Sequence, residues 1–154
     1  MSLVEQLSKG RICIGISGGS KAEILRKMID VLVDQKVVTD PARLLEDFME
    51  RESKGSTGIG NGIAIPHVRS DQVEVLEYMF ANSGEGVDFE SLDGEPVHIL
   101  FLMVAPAGSH GIHIKALARI SRILNDEVLR SRLRKASSPE EVLELIAERE
   151  EELG

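Results

Sequence analysis

Apolar residues recur along the chain in two different periods, and the alternation between them predicts the fold. Ile12-Cys13-Ile14 with Ile16 reads as a strand closed by Gly18-Gly19. Ser20 then supplies an N-cap and Glu23, three residues on, completes a capping box. Ile24, Met28, Val31 and Leu32 follow at helical spacing as far as about Gln35. Asp40-Pro41 opens a second helix with a cap and a first-turn proline; Leu44, Leu45, Phe48 and Met49 form its apolar face and Arg51 falls near its end. Ile63-Ala64-Ile65 is a short buried strand, and Pro66, which has no N–H for a ladder, ends it.

Downstream, Val73 to Phe80 suits a strand of mixed burial, with turns at Ser83-Gly84-Glu85-Gly86 and Asp93-Gly94-Glu95-Pro96. Val97 to Val104 is nearly all apolar, as expected of a central strand covered on both faces. Ala105-Pro106-Ala107-Gly108-Ser109 breaks the pattern before a helix from about Gly111 to Leu124, striped by Ile114, Leu117, Ile120, Ile123 and Leu124. Two shorter helices, Glu127 to Lys135 and Ser138 to Glu148, complete the chain. The expected class is α/β: one domain over residues 1–154, with a mixed sheet of about five strands flanked by helices on both faces. Its core spans about 3–148, and the acidic segment 149–154 is expected to fray.

Charge narrows the function. The 154 residues carry a formal net charge of −8, which disfavours nucleic acid and anionic membrane surfaces as partners. Residues 139–154 hold seven Glu and one Arg, or −6, so only −2 remains for residues 1–138. The single cysteine, Cys13, cannot form an intramolecular disulfide, and inside an apolar strand it reads as an inert core residue. No secretory or membrane-spanning segment is visible, and a cytoplasmic protein is the natural reading.

The chemistry concentrates in Ser56-Thr57-Gly58-Ile59-Gly60-Asn61-Gly62-Ile63-Ala64-Ile65-Pro66-His67. Glycines two apart allow sharp turns and close approach to a ligand. His67 is delivered at the lip of a strand, where a reactive side chain would be placed; the bland alternative is a structural strand-end histidine. His113 falls in the first turn of the long helix and tops its inward stripe. Helix N-termini dock anions through unpaired N–H groups, although a buried histidine satisfied by backbone fits the spacing equally. Arg51 could grip a phosphate with its forked guanidinium, or merely offset Glu50 and Glu52. His98 lies within a strand and reads as structural, and His110 as exposed.

Other chemistries fall away. Ile63 stands where a dinucleotide fingerprint needs its third glycine, and no Gly-Lys-Ser/Thr follows for a P-loop. His110-x-x-His113 lacks a carboxylate or cysteine at ligand spacing, and no nucleophile elbow supports a serine triad. A histidine nucleophile beside an anion-binding rim fits phosphoryl transfer without metal or cofactor.

The block from Arg51-Glu52 through Gly55-Ser56 to Pro66-His67 resembles the active-site motif of a bacterial family. This is the enzyme IIA domains, fructose/mannitol class, of the phosphoenolpyruvate-dependent phosphotransferase system. Asp88-Phe89, Asp93-Gly94-Glu95-Pro96-Val97, the apolar strand to Ala105-Pro106, and His113-Ile114 extend the likeness from about Leu3 to Ala147. Ile114, where the family usually has Leu, and Gly18-Gly19 depart from the pattern. The resemblance implies a mannitol-type three-layer sandwich and a phosphocarrier in which His67 accepts a phosphoryl group from phospho-HPr. His113 would then orient that group and Arg51 stabilise it. Amides of a phosphate-binding loop (Thr57, Gly58, Gly60, Asn61 and Gly62) would hold it, and an apolar rim of Ile63, Ile65 and Ile112 would exclude water. The motif's wording is especially like the nitrogen-regulatory branch, which implies a regulator whose phosphorylation state controls partner proteins. Transfer to a IIB cysteine in sugar uptake is the other branch, and a small-molecule-binding module without phosphotransfer the remaining alternative.

Overall fold

The computed structural model describes residues 2–109 and 111–154, with the backbone but not the side chain of Ile112. His110 and the Ile112 side chain therefore lie outside the described residues. In chain order the elements are α1 (Leu3–Leu7), β1 (Ile12–Cys13), α2 (Lys21–Asp34), α3 (Pro41–Ser53), β2 (Gly58–Gly60), β3 (Ile63–Ala64), β4 (His67–Ser70), β5 (Glu77–Val87), β6 (Val97–Pro106), α4 (Ile112–Ile123), α5 (Glu127–Lys135) and α6 (Pro139–Leu153).

Local chemistry sets the helix boundaries. The Ser20 side chain accepts from the Glu23 amide, and Glu23 reaches back to the Gly19 amide, one residue beyond the expected box partner. Asp40 caps α3 ahead of Pro41, Asp126 caps α5, and Ser138 caps α6 ahead of Pro139.

The sheet is mixed and runs β1-β5-β6-β3-β2, with β4 also paired to β6. β6 lies antiparallel to β5 and parallel to both β3 and β4. Ile63 faces Ile99 and His67 faces Met103, so β3 and β4 share one register: they are a single path interrupted at Ile65-Pro66. Six strands thus fill five positions across the sheet, in accord with the expected mixed α/β sandwich. Alternation along β6 divides the core. Leu100, Leu102 and Val104 pack with Ile24, Met28 and Leu32 of α2 and with Leu44 and Phe48 of α3. Ile99, Phe101 and Met103 pack with Ile120 and Ile123 of α4, Leu129 and Leu133 of α5, Val142 and Ile146 of α6, and Leu3 and Leu7 of α1.

Three features differ from the sequence reading. First, Ser83–Gly86 is no free turn: β5 runs through it to Val87. Between Asn82 opposite Ile99 and Val87 opposite Val97, β5 advances five residues against two on β6. Gly86, at φ +90°, and a bond from its amide to Ser83 Oγ absorb the excess as an irregularity within the strand. Residues 73–76 stay outside it. Second, the acidic end does not fray; α6 is helical to Leu153. Glu150 accepts from the Leu3 and Val4 amides at the start of α1, while Arg149 donates to the Arg122 and Ile123 carbonyls at the end of α4. Third, α1 has no counterpart in the sequence reading, since five residues are too few to display a helical period.

No helix among the described residues is long and apolar enough to cross a membrane. Cys13 is half-buried on β1, and burial pushes its thiol pKa up, away from thiolate chemistry.

Candidate functional site

Proline chemistry places the central histidine. Pro66 cannot donate to the ladder, but its carbonyl accepts from Met103 N at 2.9 Å, which keeps the chain against β6 across the break. The Ile65 amide turns the other way and donates to Thr57 O at 3.0 Å. His67 then opens β4, half-buried, with Nδ1 2.7 Å from the Ile65 carbonyl. A carbonyl oxygen can only accept, so Nδ1 carries the proton and Nε2 keeps its lone pair.

Two helix ends converge on this ring. Asp47, Glu50, Arg51 and Lys54 share one face at the end of α3, and His113 comes from the first turn of α4. With His67, Val68, Arg69 and Ala107 they line a cavity of about 540 Å³. The His67 and His113 rings are near-parallel, 22° apart, with centroids separated by 6.1 Å. Nδ1 of His113 is buried without a hydrogen-bond partner among the described residues. Arg51 donates from Nη1 to the Gly55 carbonyl at 2.9 Å, so one nitrogen is anchored while the side chain still lines the cavity. The α4 N-cap is Gly111, at φ +83°, which brings no side chain to cap the helix amides.

Electrostatics keep the His67 ring neutral. Burial is the main influence and lowers its pKa; the nearby charge of Arg51 and the His113 ring lower it further. The bond to Ile65 O and the charge of Glu52 act in the opposite sense. The net direction is down, which favours the neutral ring, protonated at Nδ1 and with a free lone pair on Nε2. Arg51, Lys54 and Arg69 make the cavity attractive to an anion, tempered by Asp47 and Glu50. Burial pushes the Asp47 carboxyl up from its ordinary value, and the charge of Arg43 partly opposes this.

His67, His113 and Arg51 are thus brought together as expected, and the glycine loop is not. None of Thr57, Gly58, Gly60, Asn61 and Gly62 lines this cavity. Thr57 is buried, giving its amide and hydroxyl to the Glu52 carboxylate at 3.1 and 2.5 Å. A Cβ at Gly58 would lie 2.3 Å from Ser91 Oγ and 2.9 Å from its Cα; one at Gly62 would lie 3.3 Å from the His98 ring. Asn61 and Gly62, at φ +58° and +75°, form the tight turn between β2 and β3. The glycines answer steric and turning demands of this hairpin, which account for them without a ligand. Ile63 and Ile65 are likewise buried in the core on the α4 side, so they form no exposed rim.

Asp47, Glu50, Lys54, Val68, Arg69 and Ala107 were not anticipated. The helical spacing 47-50-51-54 and the strand spacing 67-69 each carried a usable signal once one member of the set was suspected. No group of three or more His, Cys, Asp or Glu forms a metal site among the described residues.

Residues 5–149 match the family model described as "Phosphoenolpyruvate-dependent sugar phosphotransferase system, EIIA 2". The chain belongs to this family. Among its EIIA relatives, the fructose-specific EIIABC component of Bacillus subtilis is 37% identical over 146 residues. That match covers 95% of this chain, which spans 23% of the length of that protein. A nitrogen regulatory protein of Pseudomonas aeruginosa is 32% identical over 146 residues, 95% of each chain. The crystal structure of nitrogen regulatory protein IIA-Ntr from Neisseria meningitidis superposes with a TM-score of 0.82 at 30% identity, covering 94% of this chain and 98% of that one. A phosphoryl-carrier role fits this EIIA protein, and its relatives come from both the sugar-specific and the nitrogen-regulatory branches.

Proposed function

We propose that His67 is the phosphoryl acceptor of this EIIA protein, taking its group from phospho-HPr or an equivalent donor. The observation that carries this reading is the bond from His67 Nδ1 to the Ile65 carbonyl, inside a cavity shared with Arg51 and His113. It leaves Nε2 as the attacking atom. As the Nε2–P bond forms, the N–P bond to the donor imidazole breaks and its electron pair stays on the donor ring. The Nδ1 proton remains in place, and Ile65 O stabilises the positive charge that the ring acquires. Arg51 faces the phosphoryl oxygens with its remaining donors, the uncapped amides at the start of α4 add positive potential, and His113 orients the group. No metal or cofactor is required.

Downstream, the family has two outlets. We favour the nitrogen-regulatory one, in which the phosphorylation state governs binding to target proteins, because the wording of residues 56–67 is closest to that branch. Likeness to a fructose-specific component favours transfer to a IIB cysteine as the second reading.

Incubation with phosphoenolpyruvate, enzyme I and HPr is expected to add one acid-labile phosphoryl group, absent from His67→Ala. Persistent labelling of that variant rejects the acceptor. Rapid discharge onto a fructose-type IIB domain supports the transport outlet, and a phosphorylated form stable in its presence the regulatory one.

A further inference from the structure

A buried ion pair stands directly behind Arg51. Glu52 has a side chain only 2% exposed, and its carboxylate accepts from Lys21 Nζ at 2.9 Å as well as from the Thr57 amide and hydroxyl. Lys21 is 8% exposed, stands 3.4 Å from the Glu90 carboxylate and lies over the Phe89 ring at 4.8 Å.

Both charges occupy the wrong end of their helix. Lys21 is the first residue of α2, where the macrodipole is positive; Glu52 is in the last turn of α3, where it is negative. Both are also desolvated, and a buried pair of this kind seldom outperforms apolar packing of similar volume. Stability is therefore a poor explanation for it, and the geometry it imposes is a better one.

That geometry concerns the loop from Glu52 to Thr57. Glu52 grips Thr57 five residues ahead through both carboxylate oxygens. The backbone within is closed by Lys54 N to Arg51 O and Gly55 N to Glu52 O, with Gly55 at φ +146°. The carbonyl so fixed is that of Gly55, which receives Arg51 Nη1. Arg51 is half-buried and, among the described residues, has no carboxylate within ion-pair distance; Gly55 O is its anchor.

We propose that Glu52 is a positioning residue: with Lys21 and Thr57 it locks the 52–57 loop so that Gly55 holds the Arg51 guanidinium toward His67. This rests on the phosphoryl-acceptor reading above. Thr57 accordingly serves phosphoryl transfer from behind Arg51 and never touches the phosphoryl group.

The test is a double-mutant cycle on single-turnover phosphorylation by phospho-HPr, with Glu52→Gln, Thr57→Val and Arg51→Ala alone and combined. Each of the first two is expected to slow the chemical step roughly 10- to 100-fold, as an ångström-scale misplacement does, while KM for phospho-HPr changes little. In the Arg51→Ala background both are expected to add almost nothing, and Glu52→Asp is expected to recover part of the rate. Thermal melts keep the folded fraction in view, and Thr57→Val, which deletes one hydroxyl, serves if Glu52→Gln does not fold. Full additivity with Arg51→Ala, or unchanged rates in both variants, overturns the proposal. Wild-type protein that takes no phosphoryl group overturns the acceptor reading itself, a result distinct from either.

Discussion

Two histidines along the central strands are pinned in the same way and set in different surroundings. His67 gives its Nδ1 proton to Ile65 O at 2.7 Å, and His98 gives its own to Ser83 O at 2.8 Å. His98 packs against Gly62 and Gly86, where an added Cβ would approach its ring to 3.3 and 2.8 Å. His67 faces a cavity with Arg51, Lys54, Arg69 and His113. The bond that fixes the tautomer is shared, so in the proposed reading it singles out His67 only together with the cavity around it. The difference is the surroundings: His98 is packed by glycine turns and lines a cavity with Arg130, Arg134 and Lys135, whereas two helix ends bring Arg51 and the near-parallel ring of His113 to His67. The two histidines are five residues apart along β6, from His98 to Met103 opposite His67, or about 16 Å at roughly 3.3 Å per residue.

Substitutions at the two ends are expected to separate stability from chemistry. The largest effect belongs to His113→Ala, which should keep its circular dichroism and melting temperature yet slow phosphoryl transfer about 100-fold, as loss of one preorganised donor does. Unchanged kinetics would remove His113 from the site. At the other end, His98→Gln should leave transfer intact and cost about 1 kcal/mol of unfolding free energy for the lost buried hydrogen bond. Gly58→Ala should cost more, about 1–3 kcal/mol, because the Ser91 backbone at 2.9 Å cannot retreat as a flexible side chain could. Chemical denaturation measures both. If Gly58→Ala instead folds with full stability and transfers slowly, the hairpin belongs to the reactive end after all.

The contrast explains what was legible in the sequence. Ile63 to His67 announced a strand and a proline break, and His67, His113 and Arg51 could be named because each stands at a readable element boundary. The glycines were readable as glycines and not as to purpose: positive φ suits a ligand cradle and a tight hairpin equally, and only contacts such as Gly58 on Ser91 distinguish them. Ser83–Gly86 posed the same ambiguity, turn chemistry absorbed into β5. Partners distant in sequence left no local trace. The acidic end read as a solvated tail, yet Glu150 caps a helix 146 residues earlier. Glu150→Ala is expected to cost about 1 kcal/mol, the usual value of a lost cap, and to speed amide exchange at Leu3 and Val4 without altering transfer.

The smallest expected effect is electrostatic. The folded His67 ring holds its proton less tightly than a free histidine, whose pKa is about 6.5. As pH falls through that unfolded value toward the lower folded one, the unfolded chain takes up the proton first and stability declines; above the unfolded value the penalty vanishes. Burial is the first cause and Arg51 a lesser one, so Arg51→Ala should raise the His67 pKa while leaving it below ordinary. Proton NMR titration of the ring reads this directly, and a downward shift in the variant would contradict the assigned electrostatics.

The proposed acceptor is a single atom, one ring nitrogen of one histidine. Phosphorus–nitrogen correlation NMR on the uniformly ¹⁵N-labelled, phosphorylated protein tests it without any substitution. Phosphorus is expected to couple to Nε2 of His67, with Nδ1 still protonated toward Ile65. Phosphorus on Nδ1, or on His98, His110 or His113, would contradict it.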